Sequence, residues 1–205
     1  MICLDFDGVL FDSANEAFNI GCETFFGDSI SFDNSNINYK RFLLLRPFVD
    51  SAWQYRIAFE SLLENLDNQA MISKAKFKLN GSPSKEDIKF AEKFNQIRVR
   101  MMVNERHRWI ELNKPYEFFY SIKPLIENYP NQFFICSTKS SRFIIEILAA
   151  NGIKFKATHL WGKEFYEANE NSKALVLRKN TKVDDTIIFV DDSPRHIQDV
   201  KSLKN

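Results

Sequence analysis

The sequence predicts an α/β protein: a parallel sheet with helices on both faces, interrupted early by a long all-helical insertion. Short apolar runs alternate with helical periodicity from residue 132 onward, which implies right-handed crossovers between parallel strands. A run of the same kind opens the chain at residues 2–6, and the stretch between the two carries helical spacing alone. Residues 1–13 and 120–205 are therefore expected to form one α/β unit, and residues 14–119 a helical domain inserted after the first strand.

In order, residues 2–6 (ICLDF) read as a short buried strand that breaks at Gly8. Ala14, Phe18, Cys22 and Phe25 recur at helical spacing and end near Gly27. Residues 28–38 are polar and read as a loop. A second helix is expected over 48–66, from Phe48, Ala52, Tyr55, Phe59, Leu62 and Leu66, with Pro47 near its first turn. A third covers 69–79 and stops at Asn80-Gly81-Ser82-Pro83. Ser84, three residues before Asp87, resembles a capping box. It opens a long helix that ends before Pro115, with Ile88, Ala91, Phe94, Ile97, Met101, Trp109 and Leu112 on its apolar side. Arg98, Arg100, Arg106 and Arg108 read as its solvated face.

Residues 132–136 (QFFIC) are a strand, 137–140 a polar turn and 142–151 a helix with Gly152 as its C-cap. A weakly patterned strand is expected within 153–160 and a helix over 172–179. The strand 186–190 (TIIFV) and a helix over 194–203 close the chain. The result is a three-layer, Rossmann-like core, in which ligands bind beyond the carboxyl ends of the strands.

The composition excludes several classes. A net charge of +1 gives no basis for binding nucleic acid or an anionic membrane. No run approaches the ~18 apolar residues that a membrane helix needs. A cleaved leader would remove the first strand and Asp5, so none is expected. Cys3, Cys22 and Cys136 lack metal-ligand spacing, and Cys3 and Cys136, inside apolar strand patterns, read as small core residues in a reducing, cytoplasmic setting. His107, His159 and His196 form no local ligand motif.

The chemistry gathers at the strand ends. Asp5 and Asp7 close the first strand, and Asp191 and Asp192 close the last, ahead of Ser193-Pro194. Like charges this close are costly unless a cation or a proton relieves them. Carboxylates with no sulfur or imidazole motif suit a hard cation such as Mg2+. Two strands that each deliver acids at the carboxyl end are hard to account for as packing.

With those residues in hand, the chain resembles the haloacid dehalogenase-like (HAD) hydrolase superfamily, phosphatases that work through an aspartyl-phosphate. Within it the chain is similar to the helical-cap branch of phosphoglycolate phosphatase and β-phosphoglucomutase. DFDGVLFDS, FFICSTKSSRFIIEILAANGI, a lysine and IIFVDDSP occur in the family's order. The resemblance implies that Asp5 is the nucleophile, Asp7 the general acid and base, and that the insertion is a cap. Asp7 argues for phosphoryl transfer over dehalogenation, since dehalogenases proper lack a second acid there.

Phosphate contacts are implied for Gly8, Ser137 and the following helix N-terminus, with Thr138 the rival of Ser137. The balancing lysine is Lys173 or Lys163, and Lys173 is preferred because it starts the helix leading into the last strand. Mg2+ is implied on Asp5, on Asp192 and on the backbone carbonyl of Asp7, with Asp191 binding through water or in place of Asp192. Asp191 stands where the family has glycine, and His196 where it often has an acid. The implied function is hydrolysis of a small phosphorylated metabolite. The alternatives are a phosphoglucomutase-like transferase and a non-catalytic phosphate-binding relative. Arg41, Arg46 and Arg56 are candidates to meet the anionic part of a substrate.

Overall fold

The computed structural model of the chain describes residues 1–27, 36–182 and 186–202. In chain order, β1 (Ile2–Leu4) and β2 (Phe11–Asp12) precede a run of helices. These are α1 (Ala14–Phe26), α2 (Asn36–Leu45), α3 (Gln54–Leu63), α4 (Asn68–Leu79), α5 (Lys85–Asn104) and α6 (Arg106–Glu111). Then come β3 (Lys114–Pro115), α7 (Glu117–Asn128), β4 (Phe133–Cys136) and α8 (Ser141–Ala150). The last elements are β5 (Leu160–Trp161), α9 (Lys163–Glu167), α10 (Lys173–Asn180), β6 (Ile188–Val190) and α11 (Pro194–Lys201). They fall into two compact units: Met1–Ser13 with Asn113–Asn205, and Ala14–Leu112.

The first unit is built on a four-stranded parallel sheet of order β5-β4-β1-β6, flanked by helices. Central β1 pairs Leu4 with Ile135 on one side and with Val190 on the other. All the strands run the same way, so the residues that follow β1, β4 and β6 emerge at one edge. Cys3, Cys136, Trp161, Val176 and Leu177 form a buried cluster, with Phe134, Phe189 and Val200 packed against it. Elsewhere in the unit Phe6 stacks on Phe11, which meets Phe119 of α7.

The second unit is all helical among its described residues. Its centre is aromatic: the ring of Phe59 packs against those of Phe18, Phe25 and Phe42, and Tyr55 stacks on Phe94. Gly21 makes room for this, because a Cβ there would lie 2.1 Å from the Phe59 ring. Glu16 of α1 is fully buried, yet it accepts two hydrogen bonds from Arg98 at 2.6 and 2.9 Å and one from Trp109 Nε1 at 3.0 Å. A buried charge is tolerable only when so satisfied.

Several expectations are corrected. Residues 113–119 belong to the first unit, not to the insertion. Asp12 pairs with Lys114 and Phe11 with Pro115 in an antiparallel ribbon, so the chain leaves and re-enters that unit on neighbouring strands. The helix expected over 48–66 begins only at Gln54 and ends at Leu63, and Pro47 lies in a 3-10 turn, Arg46–Phe48. Residues 36–38 start α2 instead of ending a loop, and residues 28–35 lie outside the described residues.

The long helix breaks at Glu105, whose backbone leaves the helical region (φ −130°, ψ 38°). Ile88 is exposed, and Phe90 takes the inward place. The Arg face is not simply solvated: Arg98 holds Glu16, and Arg100 holds Glu23 at 2.7 Å. The strand expected within 153–160 shrinks to Leu160–Trp161 after a 3-10 turn, and the end of the last expected helix, at residue 203, lies outside the described residues. Helices α7 and α9 were not anticipated. Arg41, Arg46 and Arg56 all have partners inside the helical unit: the Leu66 carbonyl, the Val49 carbonyl and Asp87 with Glu60, respectively. Among the described residues, no helix is long and apolar enough to cross a membrane.

Candidate active site

The turn after β1 is fixed by its own backbone. The Phe6 carbonyl accepts from the N–H groups of Leu10 and Phe11 at 2.9 and 3.0 Å, and Gly8 N–H donates to the Phe11 carbonyl at 2.9 Å. The Gly8 N–H is therefore spent on the turn and is not a free phosphate donor. What the turn needs from Gly8 is its conformation. Its φ is +86°, and a Cβ there would sit 2.2 Å from Oδ2 of Asp192. Gly8 thus lets the acid that follows β6 close onto the loop that follows β1.

Asp5 is buried at the end of β1, where its N–H bonds the Val190 carbonyl at 2.8 Å. Its Oδ1 accepts from Phe6 N–H at 2.7 Å and lies 3.0 Å from Lys173 Nζ. Both of these contacts fall on one oxygen, Oδ1. Lys173 is the first residue of α10, behind the N-cap Ser172, whose Oγ accepts from Leu175 N–H at 3.1 Å. Its ammonium has no solvent exposure and also donates to Asp191 Oδ2 at 2.7 Å. Lys163, the other candidate, is half-exposed and pairs with Glu167.

Asp191 takes Lys173 on one oxygen. Its Oδ1 accepts from Ser193 N–H at 2.9 Å and lies 3.3 Å from His196 Nδ1. The Asp191–Asp192 pair therefore divides: Asp191 is buried among fixed partners, and Asp192 is exposed at Gly8.

The electrostatics follow from sharing one ammonium between two acids. Burial pushes the Asp5 carboxyl up; Lys173 pulls it down, Asp191 and Asp7 push it up again, and the net is above the usual carboxylate range. Burial also works against the Lys173 ammonium, but Asp5 and Asp191 outweigh it and hold that pKa above the usual lysine value. Burial would raise Asp191 as well; the hydrogen bond with His196 and the charge of Lys173 hold it below the ordinary value instead.

Beyond β4, Ser137 is buried, its N–H bonds the Trp161 carbonyl at 2.9 Å, and its Oγ accepts from Lys139 N–H at 3.3 Å. Thr138 is half-buried next to it. The N-terminus of α8 is partly taken, because Ser141 N–H donates to Glu164 Oε2 at 3.2 Å and Ser141 Oγ to the same oxygen at 3.0 Å. Sequence reasoning missed Lys139 and Asn113. Lys139 Nζ lies 3.1 Å from Asp7 Oδ1 and 3.2 Å from Asn113 Oδ1, with its side chain almost fully buried. The available signal was position, since Lys139 follows the carboxyl end of β4 by three residues. Asn113 carried no such signal, because only the β2–β3 pairing brings it here.

Among the described residues, one set of side-chain ligand atoms lies close enough together to hold a cation. Asp5, Asp191 and His196 place theirs within 4.8 Å of one another. The Lys173 ammonium already bonds two members of that set, so a metal ion there would meet a positive charge directly. The acids that the sequence singles out, Asp5 and Asp192 with the Asp7 segment, are a different donor set. It offers oxygens only, and the Asp192 carboxylate fills the space beside Gly8. This donor chemistry fits a hard divalent cation.

No protein-family model matches this chain, and no curated protein or solved structure matches it either.

Proposed function

We propose that the chain is a Mg2+-dependent phosphatase of the haloacid dehalogenase-like kind, hydrolysing a small phosphorylated metabolite through a phosphoryl group carried on Asp5. The observation that supports it best is the buried Lys173 ammonium set between Asp5 and Asp191, at the sheet edge where Asp192 meets Gly8. The oxygen set of Asp5, Asp192 and the Asp7 carbonyl would hold the ion. Mg2+ bound there would neutralise charge so that an anionic nucleophile can approach an anionic ester.

The chain's own residues then have separate tasks. Asp5 attacks phosphorus, the bond from phosphorus to the leaving oxygen breaks, and Asp7 gives that oxygen a proton. A water next attacks the phosphorus while Asp7 takes up the water's proton. The Asp5–phosphorus bond breaks, which releases inorganic phosphate and restores the carboxylate. Lys173 offsets charge on Asp5 and the phosphoryl oxygens, and the Ser137 hydroxyl donates to one of those oxygens. The helical unit is read as the cap, from its insertion after β2, which follows the Asp5–Asp7 loop. The free thiols of Cys3, Cys22 and Cys136 accord with a cytoplasmic setting.

The test is phosphate release from p-nitrophenyl phosphate with Mg2+, with EDTA, and with Asp5→Asn. Release that EDTA abolishes, that excess Mg2+ restores and that the variant reduces to background is the expected result. Release that survives Asp5→Asn would sink the assignment. So would a wild-type protein that binds a phosphate ester without turning it over.

A further inference from the structure

Resting on the phosphatase reading, we infer that Lys139 is the positioning residue for Asp7, and that Asn113 holds Lys139 in place. The Lys139 side chain is 2% exposed, and its ammonium lies 3.1 Å from Oδ1 and 3.5 Å from Oδ2 of Asp7. On another side it donates to Asn113 Oδ1 at 3.2 Å, and Asn113 is itself buried. An ammonium enclosed in this way cannot wander as a surface lysine does. It fixes the carboxylate it grips, and it grips Oδ1 more closely than Oδ2.

The elements on either side explain why the arrangement is stiff. Lys139 sits in the tight turn between β4 and α8, where its own N–H is bonded to Ser137 Oγ and its carbonyl accepts from Lys163 N–H at 2.9 Å. Asn113 directly precedes β3, which is pinned to β2 in register. Asp7 itself follows the central strand by three residues. Three separate segments of the first unit thus meet around the Lys139 ammonium. Lys173 serves Asp5, the nucleophile; Lys139 serves the acid two residues later. One turn therefore carries two carboxylates with two tasks, each bonded by a different lysine.

The role is orientation. A side chain that delivers a proton must point at the leaving oxygen, and a small misplacement is costly in rate. Loss of Lys139 should therefore hurt esters in proportion to how much their leaving group needs that proton. p-Nitrophenolate departs almost unaided, phenolate less readily, and benzyl alkoxide hardly at all without a proton. The quantity to compare is kcat/KM, which covers the steps through departure of the leaving group and is blind to the later hydrolysis of the phosphoryl-enzyme.

The experiment measures kcat/KM with Mg2+ on p-nitrophenyl, phenyl and benzyl phosphate for wild type, Lys139→Met and Lys139→Arg. Lys139→Met is expected to lose less than about tenfold on p-nitrophenyl phosphate. On the poorer leaving groups it should lose about 100-fold or more, the low end of what a positioned acid supplies. Lys139→Arg should recover part of that difference. If Lys139→Met does not fold, as judged by circular dichroism, Asn113→Leu takes its place with the same ordering of losses and smaller factors. Equal losses on all three esters would overturn the inference and leave the phosphatase reading intact. A wild-type protein inactive on all three would bring down both.

Discussion

Gly8 does at a single position what no side chain could do. Its φ of +86° costs an L-residue about 1–2 kcal/mol, and the space its Cβ would need is filled by Asp192. Gly8→Ala is therefore expected to fold but to push Asp192 away from the β1 loop. If the chain is the Mg2+-dependent phosphatase proposed, its kcat/KM should fall on the order of 100-fold, as misplacement of a reacting group by about 1 Å does. Activity within a factor of two of wild type would mean that Asp192 has no part in the reaction. The Asp-Gly pair was legible in the sequence as a turn, and Asp5, Asp7, Asp191 and Asp192 as a set. Gly8 as the seat of Asp192 was not legible, since the two lie at opposite ends of the chain. Lys139 and Lys163 illustrate the same limit. Both are lysines that follow a strand, and only packing buries the first against Asp7 and leaves the second half-exposed.

At the scale of elements, local rules worked wherever the signal was local. Ser84 and Asp87 form the reciprocal capping box that their spacing predicts: Asp87 N–H bonds Ser84 Oγ at 3.2 Å, and Ser84 N–H bonds Asp87 Oδ2 at 2.8 Å. Arg56 of α3 also donates to Asp87 at 2.6 Å, a partner that spacing could not reveal. Burial pushes the Asp87 carboxyl up, but the bonds from Arg56 and Ser84 outweigh it and hold its pKa below the usual value. A folded pKa below the unfolded one stabilises above about pH 4 and loses that contribution as pH falls through the folded value. Asp87→Asn should therefore cost about 1–2 kcal/mol at pH 7. Its deficit against wild type should shrink as pH drops below about 4. Melting curves of both proteins across pH check this, and a deficit that grows in acid would refute it. Where the signal was not local, boundaries moved. The period from Phe48 to Leu66 reads as one helix, yet Pro47 and the 3-10 turn delay its start to Gln54.

For the molecule as a whole, ligand binding and stability should be linked. Asp5 is held above its ordinary pKa by burial and by its acidic neighbours, so a divalent cation beside it relieves a cost already present in the fold. Mg2+ at about a hundred times its dissociation constant is expected to add about 2.7 kcal/mol to the stability of the unit that binds it. The melting temperature should rise with Mg2+, and Asp192→Asn should remove most of the rise. An equal rise in the variant would place the ion elsewhere. The sequence by itself determined the alternation of strand and helix, the place of the helical insertion and the four acids at two strand ends. Period, capping and turn chemistry are properties of neighbouring residues. Only the tertiary structure decided that Lys173 stands between Asp5 and Asp191, that Asp191 turns inward while Asp192 meets Gly8, and that Lys139 and Asn113 close around Asp7. Those contacts join residues up to 184 positions apart along the chain, and strand order and pairing, which no local pattern encodes, are what bring them to one edge.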